Sequence, residues 1–114
     1  TIAEFLHKEN YSTSIVGKWH LGHRPEYLPT KQGFDEWTGI PYHMSGGSLD
    51  GHVCYEDINS TMWLPLYQDE KIIEQPVNID NLAQRYASRA TEFIEKNVKK
   101  PFFLYMAFSH VHQL

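Results

Sequence analysis

Cysteine is almost absent. Cys54 is the only one among 114 residues, so no disulfide can form within this stretch and the fold rests on non-covalent packing. A single thiol says little about redox compartment. Basic charge is scarce as well. Ten Lys and Arg stand against fourteen Asp and Glu, for a formal charge of -4. No basic run extends beyond Lys99-Lys100, which argues against a nucleic-acid partner. Long apolar runs are also missing. The longest, Phe102 to Phe108, is far too short to span a bilayer. There is no internal repeat, no low-complexity tract and no signal peptide, and the first residue is Thr1 rather than methionine. The sequence reads as an internal part of a longer protein. What is present is ordinary for a folded domain: 41% hydrophobic, 14% aromatic and 21% charged residues.

The periodicities alternate between helix and strand. Ile2, Phe5 and Leu6 are spaced as one face of a short helix over Thr1 to Asn10. Tyr11 to Val16 reads as a strand. Leu21 to about Met62 is irregular, punctuated by Pro25, Pro29, Pro41 and Ser45-Gly-Gly-Ser48. Trp63 to Gln75 suggests a hairpin turning at Gln68-Asp-Glu70. The clearest helix runs from Asp80, its expected N-cap, to about Lys99. Its apolar face is Ile79, Leu82, Ala83, Tyr86, Ala90, Phe93, Ile94 and Val98. Pro101 ends it, and Phe102 to Phe108 follows as a strand expected to be covered on both faces. Helix followed by strand occurs twice, the pattern of an α/β fold with a parallel sheet.

Each of those strands runs directly into polar, histidine-bearing sequence: Gly17-Lys-Trp-His20 and Ser109-His-Val-His112. Ligands of parallel sheets bind at the carboxyl ends of strands, so these residues gather along one edge. In an extended backbone, Lys18 and His20 face one side and Trp19 turns away into packing. Lys18 offers a compact cation for an oxyanion, and His20 a group that exchanges protons near neutral pH. His110 and His112, again two apart, suit either a metal or general-acid chemistry, and a zinc centre with His20 and His23 lacks convincing further ligands. The loop residues His43, Ser45, Asp50 and His52 line a pocket or simply form turns. Cys54 is read as structural, and Trp19, Trp37 and Trp63 as core or pocket walls. Two sequons, Asn10-Tyr-Ser12 and Asn59-Ser-Thr61, suit a secretory-route protein.

Gly17-Lys-Trp-His-Leu-Gly22, Pro29-x-x-x-Gly-Phe-Asp35, Gly39-Ile-Pro-Tyr42 and Pro101-Phe-Phe-Leu-Tyr105 through Ser109-His-Val-His112 stand in order along nearly the whole chain. Together they resemble the landmarks of the type I sulfatases, and of the arylsulfatases among them. The resemblance implies an alkaline-phosphatase-like, three-layer α/β fold with a largely parallel central sheet, of which residues 1–114 are an internal part of one catalytic domain. It implies hydrolysis of sulfate esters on a sulfated small molecule, lipid or glycan, and a lysosomal or secreted location. It also implies two groups whose residues lie outside this segment: a formylglycine made from the cysteine of Cys-x-Pro-x-Arg, and a calcium ion.

Residue by residue, the resemblance assigns Lys18 to the sulfate oxygens and His20 to the base that releases sulfate by deprotonating the formylglycine hydrate. His112 is assigned to sulfate contact and to protonation of the leaving alcohol. His43 stands where related arylsulfatases carry a serine of the sulfate site. The lone Cys54 lacks the Pro and Arg of the formylglycine motif, so the segment alone is expected to be inactive. Two other readings stay open. One is a phosphate-ester or phosphonate hydrolase of the same superfamily; the other is a non-catalytic, sulfatase-like protein.

Overall fold

The computed structural model describes residues 1–43 and 63–110. Helix α1 spans Ile2–Lys8 and is closed by a capping box, in which the Thr1 hydroxyl accepts from the Glu4 N–H at 3.0 Å and the Glu4 carboxylate reaches back to the N-terminal amine. Strand β1 is Ser12–Gly17. Two 3-10 turns, Pro25–Tyr27 and Pro29–Lys31, lead to β2, Glu36–Gly39. Strands β3 (Leu66–Gln68) and β4 (Lys71–Glu74) form a hairpin, helix α2 is Leu82–Asn97, and β5 is Phe102–Ala107. The five strands lie in the order β4-β3-β2-β1-β5. β1 is parallel to both β2 and β5, with Ile15 opposite Trp37 on one side and Tyr105 on the other. The β3–β4 hairpin continues the sheet antiparallel. The expected α/β fold is present, with a mixed sheet whose parallel part is β2-β1-β5.

β1 is buried on both faces because each face meets a separate layer. Val16, Ile40, Leu64, Leu66, Val77, Leu82 and Tyr86 pack together on the α2 side. Ala3, Ile15, Trp19, Leu28, Phe34 and Trp37 pack on the side of α1 and the 3-10 turns. Adjacent residues Ile15 and Val16 thus anchor opposite cores, as the two-residue period of a strand requires. Polar ties hold the layers in register. Thr13 N–H donates to Asp35 Oδ2 at 2.8 Å, and the Asp35 N–H donates to the Thr13 carbonyl at 2.9 Å. His7 Nδ1 lies 3.1 Å from the other Asp35 oxygen, joining α1 to the same point. Lys96 and Arg89 of α2 reach Glu36 and Thr38 of β2, and Arg85 pairs with Glu74 of β4.

Four expectations need correction. In α1, Ile2 and Phe5 are exposed and the buried residue is Ala3, because the helix backs closely onto Gly33, where a Cβ would sit 2.3 Å from the Glu4 nitrogen. In α2, Asn81 rather than Asp80 occupies the N-cap. Ala83, Ile94 and Val98 face solvent, so the buried stripe narrows to Leu82, Tyr86, Ala90, Phe93 and Asn97. The stretch read as irregular contains β2, a strand of four residues that is too short to show a period of its own. Finally β5, expected to be covered on both faces, is only partly covered by the described residues, with Tyr105 50% exposed.

Candidate active site

The carboxyl ends of the three parallel strands are drawn together by glycines. Gly17 ends β1 at φ +124°, and a Cβ there would stand 1.9 Å from the Ala107 carbonyl oxygen of β5. On the other side, a Cβ on Gly39 of β2 would stand 1.7 Å from the Gly17 carbonyl oxygen. That same carbonyl accepts from Trp37 Nε1 at 3.2 Å. Only residues without side chains permit so close a convergence.

Beyond Gly17 the chain is held by its neighbours' carbonyls. Lys18 N–H donates to Ala107 O at 2.7 Å, Trp19 N–H to Ile40 O at 3.0 Å, and His20 N–H to Pro41 O at 3.0 Å. Trp19 is buried and its Nε1 donates to the Tyr27 carbonyl at 2.8 Å, so the indole fixes the segment between Lys18 and His20. His20 itself adopts φ +60°, uncommon for a residue with a side chain and the kind of strain that collects at functional sites. Its ring lies 5.5 Å from that of His43, and the rings of His23 and Tyr42 are 6.1 Å apart in an edge-on contact. Lys18 is half-buried, and no carboxylate among the described residues pairs with it. A cation and two imidazoles at one end of a sheet can bind an anion and exchange protons with it.

The structure thus brings Lys18, His20 and His43 to the same strand ends. His112, Ser45, Asp50, His52 and Cys54 lie outside the described residues; His110 is exposed beside the buried Ser109. The route by which Lys18 and His20 reach the site differs from strand alternation. β1 stops at Gly17, and the positive φ of His20 breaks the extended geometry. Hydrogen bonds to β5 and to Ile40 and Pro41 just after β2, rather than the period of a strand, place them. Trp19 and Trp37 are core, as expected, whereas Trp63 is 42% exposed. Pro29-x-x-x-Gly-Phe-Asp35 turns out to be architectural: Gly33 admits α1, Phe34 is buried, and Asp35 caps the start of β1. Tyr86, read from the sequence only as part of an apolar face, carries a hydroxyl buried under the strand ends. The available signal was the choice of tyrosine at a core position, since its O–H needs a partner there.

A model of the Sulfatase family matches residues 1–114. Arylsulfatase G of Mus musculus is 41% identical over 136 aligned positions, which take in 98% of this chain and 25% of that protein. N-acetylgalactosamine-6-sulfatase of Homo sapiens is 38% identical over 121 positions, covering 97% of this chain and 22% of its own length. The chain therefore spans about a quarter of the curated relatives it matches. Among solved structures, the PsFucS1 sulfatase from Pseudoalteromonas sp. superposes with a TM-score of 0.76 at 25% identity, over 97% of this chain and 26% of that one. Ps i-CgsB in complex with k-i-k-neocarrahexaose gives 0.71 at 28% identity, over 98% of this chain and 26% of that one. With the family match running the full length of the sequence and the strand ends built around its Lys-Trp-His segment, the chain belongs to the sulfatase family.

Proposed function

We propose that the protein carrying these residues is a sulfuric ester hydrolase, that residues 1–114 are an internal part of its catalytic domain, and that Lys18, His20, His43 and His112 face the sulfate. The observation that carries this reading is Lys18, an ion-pair-free cation among the described residues, set beside His20 and His43 at the carboxyl ends of parallel strands. Hydrolysis adds the elements of water across the ester: the S–O bond to the alcohol breaks, and the alcohol leaves with a proton. Lys18 neutralises the sulfate oxygens as charge builds on them. His20 exchanges a proton within the site, His112 delivers one to the departing alcohol oxygen, and His43 contacts the sulfate where relatives use a hydroxyl.

The family implies a formylglycine and a calcium ion, and the residues described do not fit either. No three His, Cys, Asp or Glu side chains converge among them. Cys54, outside the described residues, is followed by Tyr55 and Glu56 rather than by x-Pro-x-Arg. No step is therefore assigned through either group.

A sulfated glycan is the substrate class we favour, in keeping with the k-i-k-neocarrahexaose held in the Ps i-CgsB complex. Full-length protein should release phenol from a chromogenic aryl sulfate at least about 10³-fold faster than from the matching aryl phosphate, since the two esters differ in the charge the site must neutralise. Preference for the phosphate would move the protein to the phosphate-ester hydrolases, and turnover of neither would make it a binding protein.

A secretory route is the compartment we favour, and no helix among the described residues is long and apolar enough to cross a membrane. Asn10 of the sequon Asn10-Tyr-Ser12 is exposed in the turn between α1 and β1, at the sheet end opposite the site. Secreted protein should lose mass on endoglycosidase treatment. Asn10→Gln should remove that part of the shift while leaving turnover unchanged; an identical shift in the variant would show that Asn10 carries no glycan.

A further inference from the structure

Tyr86 of α2 is fully buried, yet it carries a polar oxygen. Its hydroxyl lies 2.9 Å from Ser109 Oγ, and its ring packs in the same buried cluster as Ile40. Burial pushes the phenol up to about 12, so the group remains an uncharged O–H through the neutral range. Its ring also meets Phe108 edge-on at 6.2 Å. A phenylalanine would satisfy the packing; the oxygen answers to something else.

Both partners belong to segments that carry the site. Ser109 immediately precedes His110 and stands three residues before His112. The Ile40 carbonyl accepts the Trp19 N–H, the next carbonyl, of Pro41, accepts the His20 N–H, and His43 follows two residues later. Resting on the sulfate-site reading above, we infer that Tyr86 is a positioning residue for that site: its hydroxyl anchors Ser109, just after β5, while its ring packs on the Ile40 segment that holds Trp19 and His20. Without the hydroxyl, Ser109 Oγ loses its buried partner, and the segment after β5 is free to shift against the one that follows β2. Displacements of about 1 Å between reacting groups cost on the order of 10²-fold in rate.

Tyr86→Phe and Ser109→Ala in the full-length protein test this, each alone and together. The measurements are kcat and KM on an aryl sulfate, binding of inorganic sulfate by calorimetry, and the melting temperature. We expect kcat to fall by about 10- to 100-fold in each single variant, with KM changing much less. Because both changes sever one hydrogen bond, the double variant should be little worse than the more damaged single one. Wild-type kcat in both variants, with only the melting temperature lowered, would reduce the hydroxyl to a packing role, as would a change confined to KM. Should Tyr86→Phe fail to fold, Ser109→Ala decides by the same criterion. A wild-type protein that neither hydrolyses the ester nor binds sulfate would overturn the site reading itself, and this inference with it.

Discussion

Replacing His20 by alanine in the full-length protein should lower kcat on an aryl sulfate by about 10²- to 10⁴-fold, the range for loss of a positioned proton-transfer group. Lys18→Ala should lower it by about 10²- to 10³-fold, as removal of one charge-stabilising donor does. The two expectations differ in what else they disturb. His20 is exposed, so its truncation sacrifices little packing. It does leave alanine at φ +60°, a conformation that asparagine tolerates better. His20→Asn is therefore the cleaner variant: it keeps the turn and removes the imidazole, so turnover collapses while the melting temperature stays close to wild type. Lys18 is half-buried, its N–H is fixed to Ala107 O at 2.7 Å, and its ammonium has no carboxylate among the described residues to turn toward. The double variant should fall short of the product of the two losses, the behaviour expected of groups that serve one transition state. Near wild-type rates in Lys18→Ala or His20→Asn would remove these residues from the chemistry.

The second large effect is on folding. Gly17→Ala places a methyl group 1.9 Å from a backbone oxygen of β5, at a φ of +124° that side chains rarely adopt. The obstacle is main chain, so no rotamer change relieves it, and β1 can accept the methyl only by parting from β5 along a six-residue parallel register. Gly39→Ala meets the Gly17 carbonyl at 1.7 Å and must part β1 from β2. Each costs several kcal/mol, a large share of the roughly 5–15 kcal/mol that holds a domain folded. The expected result is loss of soluble protein, or a melting temperature lower by about 10 °C or more. A melting curve like that of wild type would mean that the strand ends do not converge as described, and the site would lose its frame.

These two results address different levels of legibility. The helix–strand alternation, the hairpin at Asp69-Glu70, and the Lys-Trp-His and Gly-Ile-Pro-Tyr segments were readable because each depends on neighbours in sequence. A 16-residue amphipathic stripe and a turn flanked by β-formers are local facts. β2 was not readable: four residues offer no period, and Glu36–Gly39 becomes a strand because β1 and β3 pair with it on either side. The partial cover of β5 by the described residues and the exposure of Ile2, Phe5, Ile94 and Val98 likewise depend on which elements dock, not on the residues' own polarity.

The sequence by itself determined which side chains are candidates for chemistry, Lys18 and His20 foremost, and the order of the landmarks that mark the family. Tertiary structure decided how they meet. Two glycines far apart in the chain let three strand ends close to within carbonyl contact, and carbonyls of β5 and of the segment just after β2 then accept the backbone N–H groups of Lys18, Trp19 and His20. A tyrosine of α2 holds Ser109 through its buried hydroxyl and packs against Ile40. Such contacts between positions 20 to 90 residues apart leave no periodic trace, because they are satisfied only once the whole sheet has formed.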